Sequence, residues 1–117
     1  MQHFSIFSDF QYEPLPDTKN SIRLVEILDL DETRPVEVKC QMTTWHMEQA
    51  PTYHAISYTW GDPTHTSFIQ LNSKHLEVRQ NCEYVLKQAL QHGGSRYHWI
   101  DAICINQSDN KEKSDQV

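Results

Sequence analysis

The sequence predicts an α/β domain: part of a parallel sheet built on a β-α-β crossover, preceded by an N-terminal antiparallel β-hairpin. Three observations carry that expectation. From Tyr97 to Gln107 the chain reads YHWIDAICINQ, with Trp99 and Ile103 on one alternating face and Ile100, Ala102 and Cys104 on the other, which suits a strand covered on both sides. From Asn81 to His92, Cys82, Val85, Leu86, Ala89 and Leu90 follow the stripe of an amphipathic helix. Upstream, residues 53–61 (YHAISYTWG) alternate His54, Ile56, Tyr58 and Trp60 against Ala55, Ser57 and Thr59. A strand, a helix and a strand in that order make the two strands parallel, with a right-handed connection in nearly all cases.

Bulk properties narrow the field of functions. A chain of 117 residues is one domain by length. Its 10 basic and 16 acidic residues give a net charge of -6, which argues against a phosphate-backbone binder, so no nucleic acid is expected as partner. No apolar run approaches the roughly 18 residues of a membrane span. The opening MQHFSIFSDFQYEPLP lacks the basic and apolar regions of a signal peptide, so a cytoplasmic location is expected. Cys40, Cys82 and Cys104 are an odd number at wide spacings, which reads as reduced thiols and neither a disulfide framework nor a metal knuckle. The seven histidines show no ligand spacing, so no metal is expected. Asn106-Gln107-Ser108 matches the glycosylation pattern by chance on this reading.

In chain order, residues 1–20 are punctuated by Pro14 and Pro16 and read as an extended lead-in anchored by Phe10, Tyr12 and Leu15. Ser21 to Leu28 and Pro35 to Met42 read as two antiparallel strands with one wet face, joined by an acidic turn from Asp29 to Arg34. Thr43 to Thr52 reads as a loop or a short helical turn. The strand over 54–60 ends at the turn Gly61-Asp62-Pro63. Phe68 to Leu71 and Leu76 to Val78 form a hairpin about Asn72-Ser73-Lys74 that decorates the crossover. Asn81 is placed to cap the helix and Gly93 to end it. After the strand over 97–104, Asp109 and Glu112 stand at capping-box spacing and open a last helix over 108–117.

Parallel strands bring their carboxyl ends to one sheet edge, where open α/β sheets bind ligands. Ser57, Tyr58, Trp60, Gly61 and Asp62 from the first strand, with Asp101, Cys104, Asn106 and Gln107 from the second, are therefore the candidate ligand-binding residues. The last helix is expected to aim its positive end at the crevice, favouring an anion. Each residue also has a plainer reading. Asp101 orients a ribose or a catalytic group, or it bonds amides of the turn after Trp60. Cys104 at a strand end is a nucleophile position, or a small buried hydrophobe. Tyr58, Trp60 and Trp99 stack a base, or pack the core. Asn106 and Gln107 bind ligand, or cap the helix.

The blocks YHAISYTWGD at 53–62 and WIDAICINQSDNKEKSDQV at 99–117 resemble the heterokaryon incompatibility (HET) domain of filamentous fungi. NC-x-x-x-L-x-x-AL at 81–90 and the upstream PL followed by IRL fit the same family, so the resemblance runs from Phe10 onward. It implies a module of fungal non-self recognition and programmed cell death, and a fold related to the flavodoxin-like Toll/interleukin-receptor (TIR) domain. Some TIR domains cleave NAD with a glutamate beside the nucleotide crevice. The resemblance thus makes NAD the candidate substrate or ligand, and Glu112 and Asp101 the candidate catalytic residues. Glu112 is the family's acidic position, although the TIR glutamate lies on a later helix, and Lys113 stands where the family usually has Arg. HET domains continue beyond this point, so residues 21–117 are read as the N-terminal portion of one, with an exposed sheet edge. The expected partner is a protein: a second copy in a homodimer, or a longer HET protein, which a shortened relative would inhibit.

Overall fold

β1 (Ser21–Asp31) and β2 (Glu37–His46) form the antiparallel pair expected from their patterns, each running several residues further than the sequence suggests. The structure, a computed structural model, describes residues 8–32 and 36–116, so part of the acidic turn joining them lies outside the described residues. β2 alternates as expected, with Val38, Cys40 and Met42 buried and Lys39 and Gln41 exposed. β1 departs from the one-sided reading: every residue from Ser21 to Val25 is buried, because β1 is interior to the sheet. A bulge between Ile27 and Asp29 leaves Leu28 exposed. Residues after Thr43 continue β2, then turn through a 3₁₀ segment at Met47–Gln49.

β3 (Tyr53–Ile56) is followed by β4 (Thr66–Leu71) and β5 (Lys74–Arg79), an antiparallel hairpin whose turn residues Asn72 and Ser73 both have positive φ, 52° and 65°. The hairpin does more than decorate the crossover. Asn72 accepts from the Met42 amide at 2.7 Å and its own amide donates to the Cys40 carbonyl at 3.1 Å, which holds β4 parallel to β2. α1 (Gln80–His92) follows directly and ends at Gly93, whose φ of 67° suits glycine. Its capping residue is Arg79, without a side-chain bond; Asn81 instead sends its amide to the Thr59 carbonyl at 2.9 Å.

β6 (Tyr97–Ile100) lies parallel to β3, pairing Tyr53 with Tyr97 through Ile56 with Ile100, so the predicted crossover is present and its strands are direct neighbours. Both strands are shorter than expected. β3 stops at Ile56 because the chain then leaves the sheet edge to carry Tyr58 and Trp60 toward α1. β6 stops at Ile100, and Asp101 to Cys104 form a helical turn, α2 (Asp101–Cys104). The apolar run that reads as two faces of a strand also places Ile100, Ile103 and Cys104 at helical spacing i, i+3, i+4, and this second period wins. α3 (Asn110–Gln116) completes the chain.

The six strands are ordered β3-β6-β1-β2-β4-β5. The predicted parallel sheet is a mixed one: β3 with β6 and β2 with β4 are parallel, and the other neighbouring pairs are antiparallel. Val25, Val38, Cys40, Ile69, Leu71 and Ile100 face the helices and pack with Cys82 and Leu86 of α1 and Ile103 and Cys104 of α2. The lead-in joins this layer. Leu15 is buried, and the Tyr12 hydroxyl donates to the Ile103 carbonyl. Among the described residues no helix is long and apolar enough to cross a membrane.

His98 sits inside this core, 4% exposed, opposite Val25 and His54, with no hydrogen-bond partner for Nδ1 among the described residues. Burial, and then the nearby His54 imidazole, hold its pKa below the ordinary 6.5. The native state thus prefers the neutral ring, while the unfolded chain takes up a proton near pH 6.5. Stability is expected to be full above that pH and to fall as the pH drops through it toward the lower native value. Urea midpoints at pH 7.5 and pH 5 check this, and His98→Asn should flatten the difference.

Candidate functional site

α2 is a divider with a different cluster on each side. On one side lies a cleft of about 130 Å³ lined by Tyr58, Trp60, Glu77, Val78, Arg79, Cys82 and Ala102. Its wall is the loop after β3, fastened to the junction of β5 and α1. Trp60 donates its indole N–H to Asp101 at 3.2 Å, and the Arg79 guanidinium lies 5.2 Å over the indole ring while donating to the Gly61 carbonyl at 2.9 Å. Gly61 has φ of 84°, and a Cβ there would stand 2.5 Å from Nδ2 of Asn81. Any other residue there would be strained at that φ and would press on the Asn81 side chain.

On the other side of α2 is a buried ion pair. Arg23, 2% exposed, meets Glu112, 1% exposed, through both carboxylate oxygens at 2.6 and 2.8 Å. The guanidinium also donates to the carbonyls of Cys104 at 3.1 Å and Glu13 at 2.8 Å, and its carbon lies 5.0 Å from the Tyr12 ring centroid. Glu112 accepts from the Asn106 amide as well. Such a pair is tolerable in a core because its remaining donors and acceptors are satisfied.

The strand ends therefore meet as topology requires, through Trp60 and Asp101, but the two turns do not share one pocket. Tyr58 and Trp60 line the cleft, and Asp101 holds its Trp60 wall. Asp101 accepts from an indole in place of the turn amides. Gly61 contributes its carbonyl, whereas Ser57 and Asp62 are exposed outside the lining. The Thr64 hydroxyl and amide hold the Asp62 carboxyl below its usual range. Asn106 accepts from the Ser108 amide at 3.1 Å, and Gln107 donates to the Asp101 carbonyl at 2.8 Å, so both amides brace the chain around α2. Cys104 is wholly buried in a helical turn, not at a strand tip. The Asp109 carboxylate accepts from the Glu112 amide at 3.1 Å, so the expected positive end of α3 is met by that cap, while the Glu112 carboxylate turns away to Arg23 and Asn106.

The sequence reading passed over Arg23, Arg79 and Cys82. Arg23 had a signal: it is a single cation between Ile22 and Leu24 in an otherwise apolar segment. Arg79 and Cys82 had none, because only the loop after β3 brings the aromatic residues to them. Chemically the cleft is quiet. Burial, and then the hydrogen bond that the hydroxyl donates to the Cys82 sulfur, raise Tyr58 above its ordinary value. Burial pushes the Cys82 thiol up to about 11 and the Cys40 and Cys104 thiols up to about 12. All three are protonated at neutral pH, when the nucleophile would be the thiolate. Among the described residues no group of three or more His, Cys, Asp or Glu side chains converges.

A family model described as heterokaryon incompatibility protein (HET) matches residues 53–117. Among curated proteins, heterokaryon incompatibility protein 6, OR allele, of Neurospora crassa is 32% identical over 123 aligned residues, which cover 92% of this chain and 18% of that relative. The chain thus spans less than a fifth of the relative's length. No solved structure matches it.

Proposed function

This chain belongs to the heterokaryon incompatibility family, and we propose that it works there as a signalling and interaction module of fungal non-self recognition, coupled to programmed cell death. The relative carries incompatibility in its name, and that role comes to this chain as a proposal. Two observations at the candidate residues support binding over catalysis. The cleft, at about 130 Å³, is well below the roughly 300–1,000 Å³ of sites that enclose a small molecule. Glu112, which family resemblance offers as a catalytic acid, already has both oxygens committed to Arg23. On this reading residues 21–117 are the N-terminal portion of a HET domain, residues 1–20 are its lead-in, and its partner is a protein.

We read the fold as a divergent relative of the TIR domain. The parallel pairing of β3 with β6 across α1 supports that relation, and the antiparallel pairs of β1 mark the divergence. The experiment is co-expression with a full-length HET protein in a fungal host, scored for growth arrest. A stronger arrest is the expected result. Suppression would favour an inhibitor of longer HET proteins, and an unchanged response would overturn the interaction role. Incubation with NAD at high protein concentration is expected to release no nicotinamide above a blank. Release that is lost in Asp101→Ala would establish the TIR-like enzyme instead.

A further inference from the structure

The two outer strands of the sheet are finished differently. On β5 the lead-in closes the edge: the Phe10 amide donates to the His75 carbonyl at 3.0 Å, Asp9 accepts from the His75 amide at 2.6 Å, and Ser8 accepts from the Glu77 amide at 3.1 Å. On β3, nothing among the described residues pairs with the outer side. Tyr53, His54 and Ala55 are all exposed, Tyr53 by 37%. Natural edge strands are usually guarded by charges, proline, a bulge or brevity, and β3 carries only the last, with four residues and no charge, proline or bulge among them. From Gln49 to Gly61 the chain contains no Asp, Glu, Lys or Arg, although its net charge is -6.

We propose that β3 pairs antiparallel with β3 of a second copy of this chain, about a two-fold axis at Ala55, joining two sheets into one. The absence of charge singles out this occupant. Two copies of an acidic protein repel, and only a segment free of carboxylates can face itself without adding like charges at close range. For the helical layers of both copies to stay on one side, residues that share a face must lie opposite one another. Centred on Ala55, that register sets the small side chain against itself and His54 against Ile56. No two imidazoles then meet. The interface is isologous, as closed two-fold dimers are, and because each copy carries -6 it should tighten as salt rises.

Sedimentation of the whole chain over a range of concentrations tests this. The expected result is a reversible dimer, with a dissociation constant that falls several-fold between low and high salt. Ala55→Lys should be monomeric at concentrations where the parent is dimeric, with its unfolding midpoint unchanged because the side chain is exposed. Tyr84→Lys, at a position 64% exposed on α1, should dimerise like the parent. Under mild oxidation Ala55→Cys should form a covalent dimer at least tenfold faster than Tyr84→Cys, since the native cysteines are buried. A parent chain that stays monomeric at every concentration, an Ala55→Lys dimer as tight as the parent's, or equal crosslinking rates would each overturn the proposal. None of these outcomes bears on the NAD assay, so the two ideas fail separately.

Discussion

Glu112→Ala is expected to destabilise the protein by about 3–5 kcal/mol, the range found when one partner of a buried ion pair is removed. Arg23 would keep its charge at 2% exposure with two carbonyls as its remaining anchors. The Asn106 amide would lose its acceptor too, which loosens the turn between α2 and α3. Urea unfolding of parent and variant gives the difference directly. The double variant Arg23→Met with Glu112→Leu should recover much of the loss, since replacing both charges by apolar groups of similar size is often neutral or better. A loss below about 1 kcal/mol in Glu112→Ala would mean that water reaches the guanidinium and that the pair is not sealed.

Gly61→Ala is expected to cost about 2 kcal/mol or more. Left-handed backbone costs an L-residue roughly 1–2 kcal/mol, and crowding a packed site adds typically 1–3 kcal/mol. Here the added Cβ would press on Asn81 at 2.5 Å from Nδ2 and 2.9 Å from Cγ. Asn81 relieves this contact only by giving up the bond that its exposed amide makes to the Thr59 carbonyl. The combination with Asn81→Ala should remove the crowding and leave only the backbone cost, so the two substitutions together should be less harmful than Gly61→Ala alone. Thermal unfolding of all three variants decides it. Tryptophan fluorescence adds a local readout, since Trp60 leaves Asp101 and Arg79 if the loop shifts.

Local patterns foretold the β1–β2 pair, the β4–β5 hairpin and α1 because in each the deciding interaction is a neighbour in sequence or a single repeating period. The alternation of Val38, Cys40 and Met42 needs no knowledge of what covers them. The length of β6 could not be read that way: Ile100, Ile103 and Cys104 satisfy strand and helix periods alike, and the choice falls to Arg23 and Tyr12, whose bonds to the Cys104 and Ile103 carbonyls come from far upstream. The site divides along the same line. Parallel pairing brings the ends of β3 and β6 to one sheet edge, which topology alone can say, while the loop after Ile56 sets Trp60 against Asp101. The inward aim of Glu112 depends on a cation supplied by β1, and the role of Arg79 depends on a loop that leaves the sheet earlier than its alternation suggested.

The ion pair of Arg23 and Glu112 also bears on the order in which the chain folds. It is one of several ties between segments far apart in sequence; Thr18 bonds Asp115 at 2.5 Å, and Gln116 donates to the carbonyls of Thr18 and Ser21 at 2.8 Å. Each of them closes a loop of nearly the whole domain, and the entropy of that closure is spent before the contact returns anything. The two hairpins and α1 form from contacts close in sequence, so they are expected to assemble first, and the seam of lead-in and α3 last. On unfolding the order is expected to reverse, so hydrogen exchange should show the amide protons of α3 exchanging ahead of those in β1 and β2.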